Sequence, residues 1–142
     1  MEPLIALVAG FTGARLTGLA GVDALDGWHP ALRVGLALMF LFTASAHFQG
    51  RLRRELIGMV PPRLPRPGLL VTVTGILEVA GATGLLIPVT APWAAAGLGL
   101  LLLAMFPANV SAARRRVAQG DPLGPRSALQ AVYVGAAVLL VP

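Results

Sequence analysis

The sequence predicts an all-α integral membrane protein, a helical bundle of five helices in a single domain covering residues 1–142. Three observations predict it. The chain is 56% hydrophobic and only 12% charged, with a mean hydropathy of +0.80, where a soluble domain carries about 25% charged residues. Five apolar runs recur along it, most of them close to the roughly 20 residues that cross a bilayer. Every basic residue is an arginine, and most of the arginines fall in two short connections between apolar runs.

The first run covers residues 4–21 and is interrupted by Arg15. Gly10, Ala14 and Gly18 share one stripe of that helix, with Gly13, Thr17 and Gly21 beside it. Small residues at this spacing let helices approach closely in lipid, so the run reads as a span rather than as an interfacial helix. The second run covers 31–48. In the connection 49–67, Arg51-Leu-Arg-Arg-Glu-Leu-Ile-Gly58 is a short amphipathic stretch suited to one or two helical turns along the membrane surface. Pro61, Pro62, Pro65 and Pro67 then exclude regular helix and impose an extended, rigid course. The third run, 68–87, holds Glu78 as its one charge. The fourth, 92–112, contains Pro107, which should loosen the helix and free a carbonyl. The fifth covers 127–141. As helix it reaches only about 22 Å, so it must lean on its neighbours or begin nearer Pro125.

The connections assign sidedness. Arg51, Arg53, Arg54, Arg63 and Arg66 lie in 49–67, and Arg114, Arg115, Arg116 and Arg126 lie in 113–126. Both segments are expected on the cytoplasmic side of a bacterial inner membrane. The connection 22–30 carries Asp23 and Asp26 and no arginine, and 88–92 is uncharged. Both should face outward, which puts the C-terminus outside. Trp28 and Trp93 then share the outer boundary, where interfacial tryptophan belongs. The net charge of +5 is therefore read as topology and as lipid head-group or partner contact through Arg51, Arg53, Arg54, Arg114, Arg115 and Arg116, not as a nucleic-acid surface. Met1-Glu2-Pro3 lacks the positive start of a signal peptide, so the first run is expected to be retained. There are no cysteines, which excludes thiol chemistry. With His29 and His47 as the only histidines, no metal site is expected.

Glu78 is the first candidate for function. A carboxylate at the centre of a bilayer costs roughly 3 kcal/mol on insertion scales, and such residues default to a functional reading. Thr74, Gly75, Glu78, Gly81 and Ala82 share a small, polar face that should point into the bundle, opposite Val73, Ile76, Leu77, Val79 and Ala80. Counted from the cytoplasmic ends of their helices, Glu78 and Arg15 lie at matching depths of about 15 Å. An intramembrane Arg15–Glu78 pair is therefore expected, either as structural glue or as part of a site. A second polar layer nearer the cytoplasm should gather His47, Asn109 and Gln130, with Tyr133 one turn deeper. The same counting separates His47 from Glu78 by about 10 Å.

Leu32-Arg33, Gly35-Leu36, Ala46-His47-Phe48, Met59-Val-Pro-Pro-Arg-Leu-Pro-Arg-Pro67, Thr74-Gly75, Glu78, Gly81-Ala82, Gly84-Leu-Leu-Ile-Pro88 and Phe106-Pro-Ala-Asn-Val110 together resemble the DoxX family of small bacterial membrane proteins, over roughly residues 31–141. The resemblance implies a four-helix membrane core, with residues 4–21 added before it. It also implies a quinone-linked or partner-dependent role, with His47, Glu78 and Asn109 as the matching polar positions.

These observations lead to a quinone- or amphipath-binding subunit of a redox-linked membrane complex. His47, Glu78, Asn109, Arg15, Gln130 and Tyr133 would form its ligand site, quinone its one candidate cofactor and redox proteins its partners. Two alternatives stand beside it. One is a non-catalytic scaffold that docks cytoplasmic partners through the arginine-rich loops. The other is a small-molecule or lipid transporter, which so few helices without an inverted repeat would support only as an oligomer such as a homodimer.

Overall fold

The computed structural model describes residues 1–116 and 122–141. Among them are six α-helices, one 3-10 turn and no strand: α1 (Glu2–Leu19), the 3-10 turn Asp23–Leu25, α2 (Trp28–Phe48), α3 (Gly50–Met59), α4 (Pro67–Leu86), α5 (Ala91–Arg115) and α6 (Leu123–Val138). Within the connection predicted at 113–126, residues 117–121 lie outside the described residues. Three of the helices, α2, α4 and α5, are long and apolar enough to cross a membrane.

Each long helix carries a proline in its first turn: Pro3, Pro30, Pro67, Pro92 and Pro125. Proline is tolerated there because the first N–H groups of a helix have no partner to lose. This accounts for two of the boundary differences from the sequence reading. Pro30 and Pro125 look like breakers but sit inside the first turns of α2 and α6, so both helices begin three or four residues earlier than their apolar runs. Pro107 lies within α5, which continues through it to Arg115.

α1 and α2 form an antiparallel hairpin. Leu7, Gly10, Ala14 and Gly18 are the buried face of α1, the stripe expected from spacing. Gly10 meets Gly35 backbone to backbone: a Cβ on Gly35 would lie 2.7 Å from the Leu7 carbonyl oxygen. Gly13 has open space beside it, so the neighbouring stripe is not part of this contact. α2 packs in turn against α4, and α4 against α5, which pairs with α6. The core joining them centres on Leu36, Met39, Phe40, Leu85, Leu98 and Tyr133. On α4, Gly75, Glu78 and Ala82 are buried, while Val73, Ile76, Leu77 and Val79 are exposed, as the sequence reading divides them.

The connection 49–67 contains a full helix, α3, followed by a non-helical proline stretch. Two arginines fix α3 in place. Arg53 donates Nη1 to the His47 carbonyl at 2.9 Å, and Nη2 to the Gly68 carbonyl at 3.0 Å and to Thr72 Oγ1 at 2.9 Å. It thereby ties the end of α2 to the first two turns of α4. Arg115 of α5 donates Nη2 to the carbonyls of Gly58, Met59 and Val60, which are left without helical donors where α3 ends. Both were expected to contact lipid head groups or partners; each also holds hydrogen bonds within the fold, and Arg115 stays exposed.

Candidate functional site

A cavity of about 410 Å³ opens between α2, α5 and α6, at the end of the bundle that carries α3. Its size is that of a small-molecule site. Leu52, Leu56 and Met59 of α3 roof it, and Phe40, Leu102 and Leu129 supply apolar walls. His47, Glu78, Asn109, Gln130 and Tyr133 all line it. Five of the six ligand candidates read from sequence therefore converge on one space.

The two buried polar residues of the core, His47 and Glu78, are each 3% exposed. Glu78 Oε2 accepts a hydrogen bond from Thr43 Oγ1 at 2.8 Å and lies 3.9 Å from His47 Nδ1. His47 Nδ1 is 3.1 Å from the Thr43 carbonyl oxygen. A carbonyl only accepts, so Nδ1 carries the hydrogen there and a neutral ring keeps Nε2 as its acceptor. On the opposite wall, Arg126 Nη1 donates to Asn109 Oδ1 at 3.2 Å. Gln130 Nε2 donates to the Leu102 carbonyl, one residue from the Leu103 carbonyl whose helical donor Pro107 lacks. Tyr133 is 9% exposed, and its buried hydroxyl has no hydrogen-bond partner among the described residues. A buried hydroxyl without a partner costs about 1–3 kcal/mol, and here it belongs to a residue lining a space that a ligand can fill.

The 10 Å separation expected between His47 and Glu78 is corrected. Counting depth from helix ends assumes that α2 and α4 end level, and they do not. Gly75 lies against His47, where its missing Cβ leaves room for the imidazole: a Cβ there would lie 2.7 Å from that of His47. α4 thus begins about 10 Å beyond the level of the α2 terminus. The Arg53 bonds to Gly68 and Thr72 hold that overhang.

The Arg15–Glu78 pair is also corrected. Arg15 Nη1 bonds Asp26 Oδ1 at 3.1 Å, with side chains 32% and 64% exposed. The 3-10 turn folds Asp26 back against the end of α1, and α2 stands between α1 and α4. Arg15 does not line the cavity. Exposed pairs of this kind contribute less than about 1 kcal/mol, whereas removing one partner of a buried pair costs about 3–5 kcal/mol. Arg15→Ala should therefore leave the detergent unfolding midpoint nearly unchanged; a loss on the buried-pair scale would restore the Glu78 pairing.

Arg51, Arg54, Arg114 and Arg116 are exposed at the same end, with Arg51 bonded to Glu55. Sequence reasoning left out Thr43, which bridges the acid and the imidazole, although it lies one turn before His47 on the same face. It placed Arg126 in the connection 113–126, whereas α6 begins at Leu123 and carries it. Among the described residues, no group of three His, Asp or Glu stands close enough to hold a metal ion.

Comparison with the curated proteins and with the solved structures finds no match to this chain. One family model does match, described as a domain of unknown function (DUF8561), over residues 36–141. That stretch begins inside α2 and runs through α6, and it holds every polar side chain of the cavity named above, while α1 precedes it. The chain therefore belongs to the DUF8561 family, with α1 lying outside the matched stretch.

Proposed function

We propose that this protein is a DoxX-like subunit of the bacterial inner membrane that binds a quinone or a similar small amphipath within its bundle. α1 and α6 complete the spanning set begun by α2, α4 and α5, and the arginine-rich end faces the cytoplasm. The observation that carries the reading is the cavity itself: His47, Glu78, Asn109, Gln130 and Tyr133 meet around one space of ligand size, with the Tyr133 hydroxyl buried and unpaired. A carbonyl or hydroxyl head group completes this set. Tyr133 donates to either oxygen, His47 Nε2 accepts only from a hydroxyl, and Glu78 beside Thr43 holds or gives up a proton. With no cysteine in the chain, electron transfer to thiols would fall to a partner in a redox-linked complex.

The test is native mass spectrometry of protein released from mild detergent. The expected result is a bound small molecule of quinone mass, lost in Glu78→Gln and in His47→Ala while the protein remains folded. Protein that carries no such molecule, and shows no thermal shift with added menaquinone, overturns the reading. The exposed Arg51, Arg54, Arg114 and Arg116 favour a second reading, a scaffold for acidic cytoplasmic partners. The same spectra would show it as a retained protein partner without a small molecule.

A further inference from the structure

A second concavity runs along the outside of the α1–α2 hairpin. Ala6, Ala9, Gly13 and Thr17 of α1 form one wall and Leu38 and Leu41 of α2 the other. It is apolar and open sideways, and the small residues of α1 leave its floor clear. Along α2 it extends from Ser45 to Val34, about 16 Å. Phe42 and Ser45 line both this groove and the cavity. The two spaces therefore meet at a pair of exposed side chains on α2.

We propose that groove and cavity are two halves of one site, which takes a lipid-soluble amphipath, its head in the cavity and its tail along α1. The proposal rests on the cavity reading above and adds the shape of the ligand and a role for α1. The polar half is defined by the unpaired Tyr133 hydroxyl, on a residue nine-tenths buried, and by His47 and Glu78. The apolar half offers no polar partner for a head group beyond Thr17 and Ser45, and a phospholipid head belongs at the water interface rather than beside buried Glu78. Phe42 and Ser45 form the bend between the halves. Tail and surrounding lipid are equally apolar, so the groove places the tail by close packing rather than by hydrophobic gain. The position of the tail, not affinity, is therefore the decisive measurement.

The probe is a menaquinone analogue with four isoprene units and a diazirine at the tail terminus, photolysed on the full chain in nanodiscs and mapped by peptide mass spectrometry. Labelling should concentrate several-fold on residues 6–17 and 34–45 over the outer faces of α4 and α5. Gly13→Leu projects into the groove, and nothing lies within 4 Å of its first added carbon. It should cut that labelling several-fold while native mass spectrometry still shows the analogue bound. Gly97→Leu on α5, equally open, should leave labelling unchanged. An analogue that binds but labels elsewhere, or labels the groove regardless of Gly13→Leu, overturns this proposal and leaves the cavity reading standing. A photoreactive phospholipid that labels the groove as strongly overturns it too, making the groove an ordinary lipid contact. An analogue that does not bind at all overturns both.

Discussion

Arg53→Ala should lower the free energy of unfolding by about 3 kcal/mol, because hydrogen bonds from a charged donor contribute about 1.5–3 kcal/mol each and their loss leaves carbonyls short of donors. Arg53 makes three such bonds, to the His47 carbonyl, the Gly68 carbonyl and Thr72 Oγ1. They join α3, the end of α2 and the start of α4 at the level where the cavity begins. Arg53→Lys should recover less than half of the loss, since an ammonium lacks the planar fork that reaches acceptors on two helices at once. Arg51, two residues away, has a side chain 85% exposed and bonds Glu55 within its own helix. Arg51→Ala should stay within about 0.5 kcal/mol. Equilibrium unfolding of the three variants in mixed detergent measures the series, and equal effects of Arg51→Ala and Arg53→Ala would refute the clamp. Because Arg53 also sets the overhang of α4 past α2, Arg53→Ala should lose the cavity ligand along with stability.

Gly35→Leu should destabilise by at least about 3 kcal/mol, the upper end of the usual cost of overpacking. Even the first added carbon meets the Leu7 carbonyl oxygen at 2.7 Å and the Phe11 nitrogen at 3.1 Å. Both are backbone atoms, so relief requires α1 to move as a body away from α2. The first added carbon of Gly13→Leu, on the other stripe of α1, has nothing within 4 Å, and the variant should fall within about 0.5 kcal/mol. Circular dichroism and detergent unfolding separate the two cases. If the two variants lost the same stability, the close backbone contact would not be what holds the hairpin. In lipid there is little hydrophobic force between helices, so closeness of approach is the main source of attraction and a forced separation is costly.

The amino-acid sequence by itself determined the all-helical class and the faces that α1 and α4 bury. Length and apolarity make the helices, and small residues at Gly10, Ala14 and Gly18 mark the buried face of α1. The polar positions within apolar runs, His47, Glu78, Asn109, Gln130 and Tyr133, were legible because each costs free energy in lipid unless it is satisfied. What the sequence could not supply was how far each helix slides past its neighbour. The facing ends of α2 and α4 fall within one residue of those their apolar runs predict, yet helices with correct ends can still slide past each other by whole turns of 5.4 Å. The slide separated His47 from Glu78, and the packing order, with α2 between α1 and α4, joined Arg15 to the wrong carboxylate. The tertiary structure decided both. The Arg53 clamp and the Gly75–His47 contact set the slide of α4 along α2, which brings imidazole and carboxyl to 3.9 Å. The fold of residues 20–27 sets Asp26 against Arg15, an exposed contact that no pattern in either helix encodes.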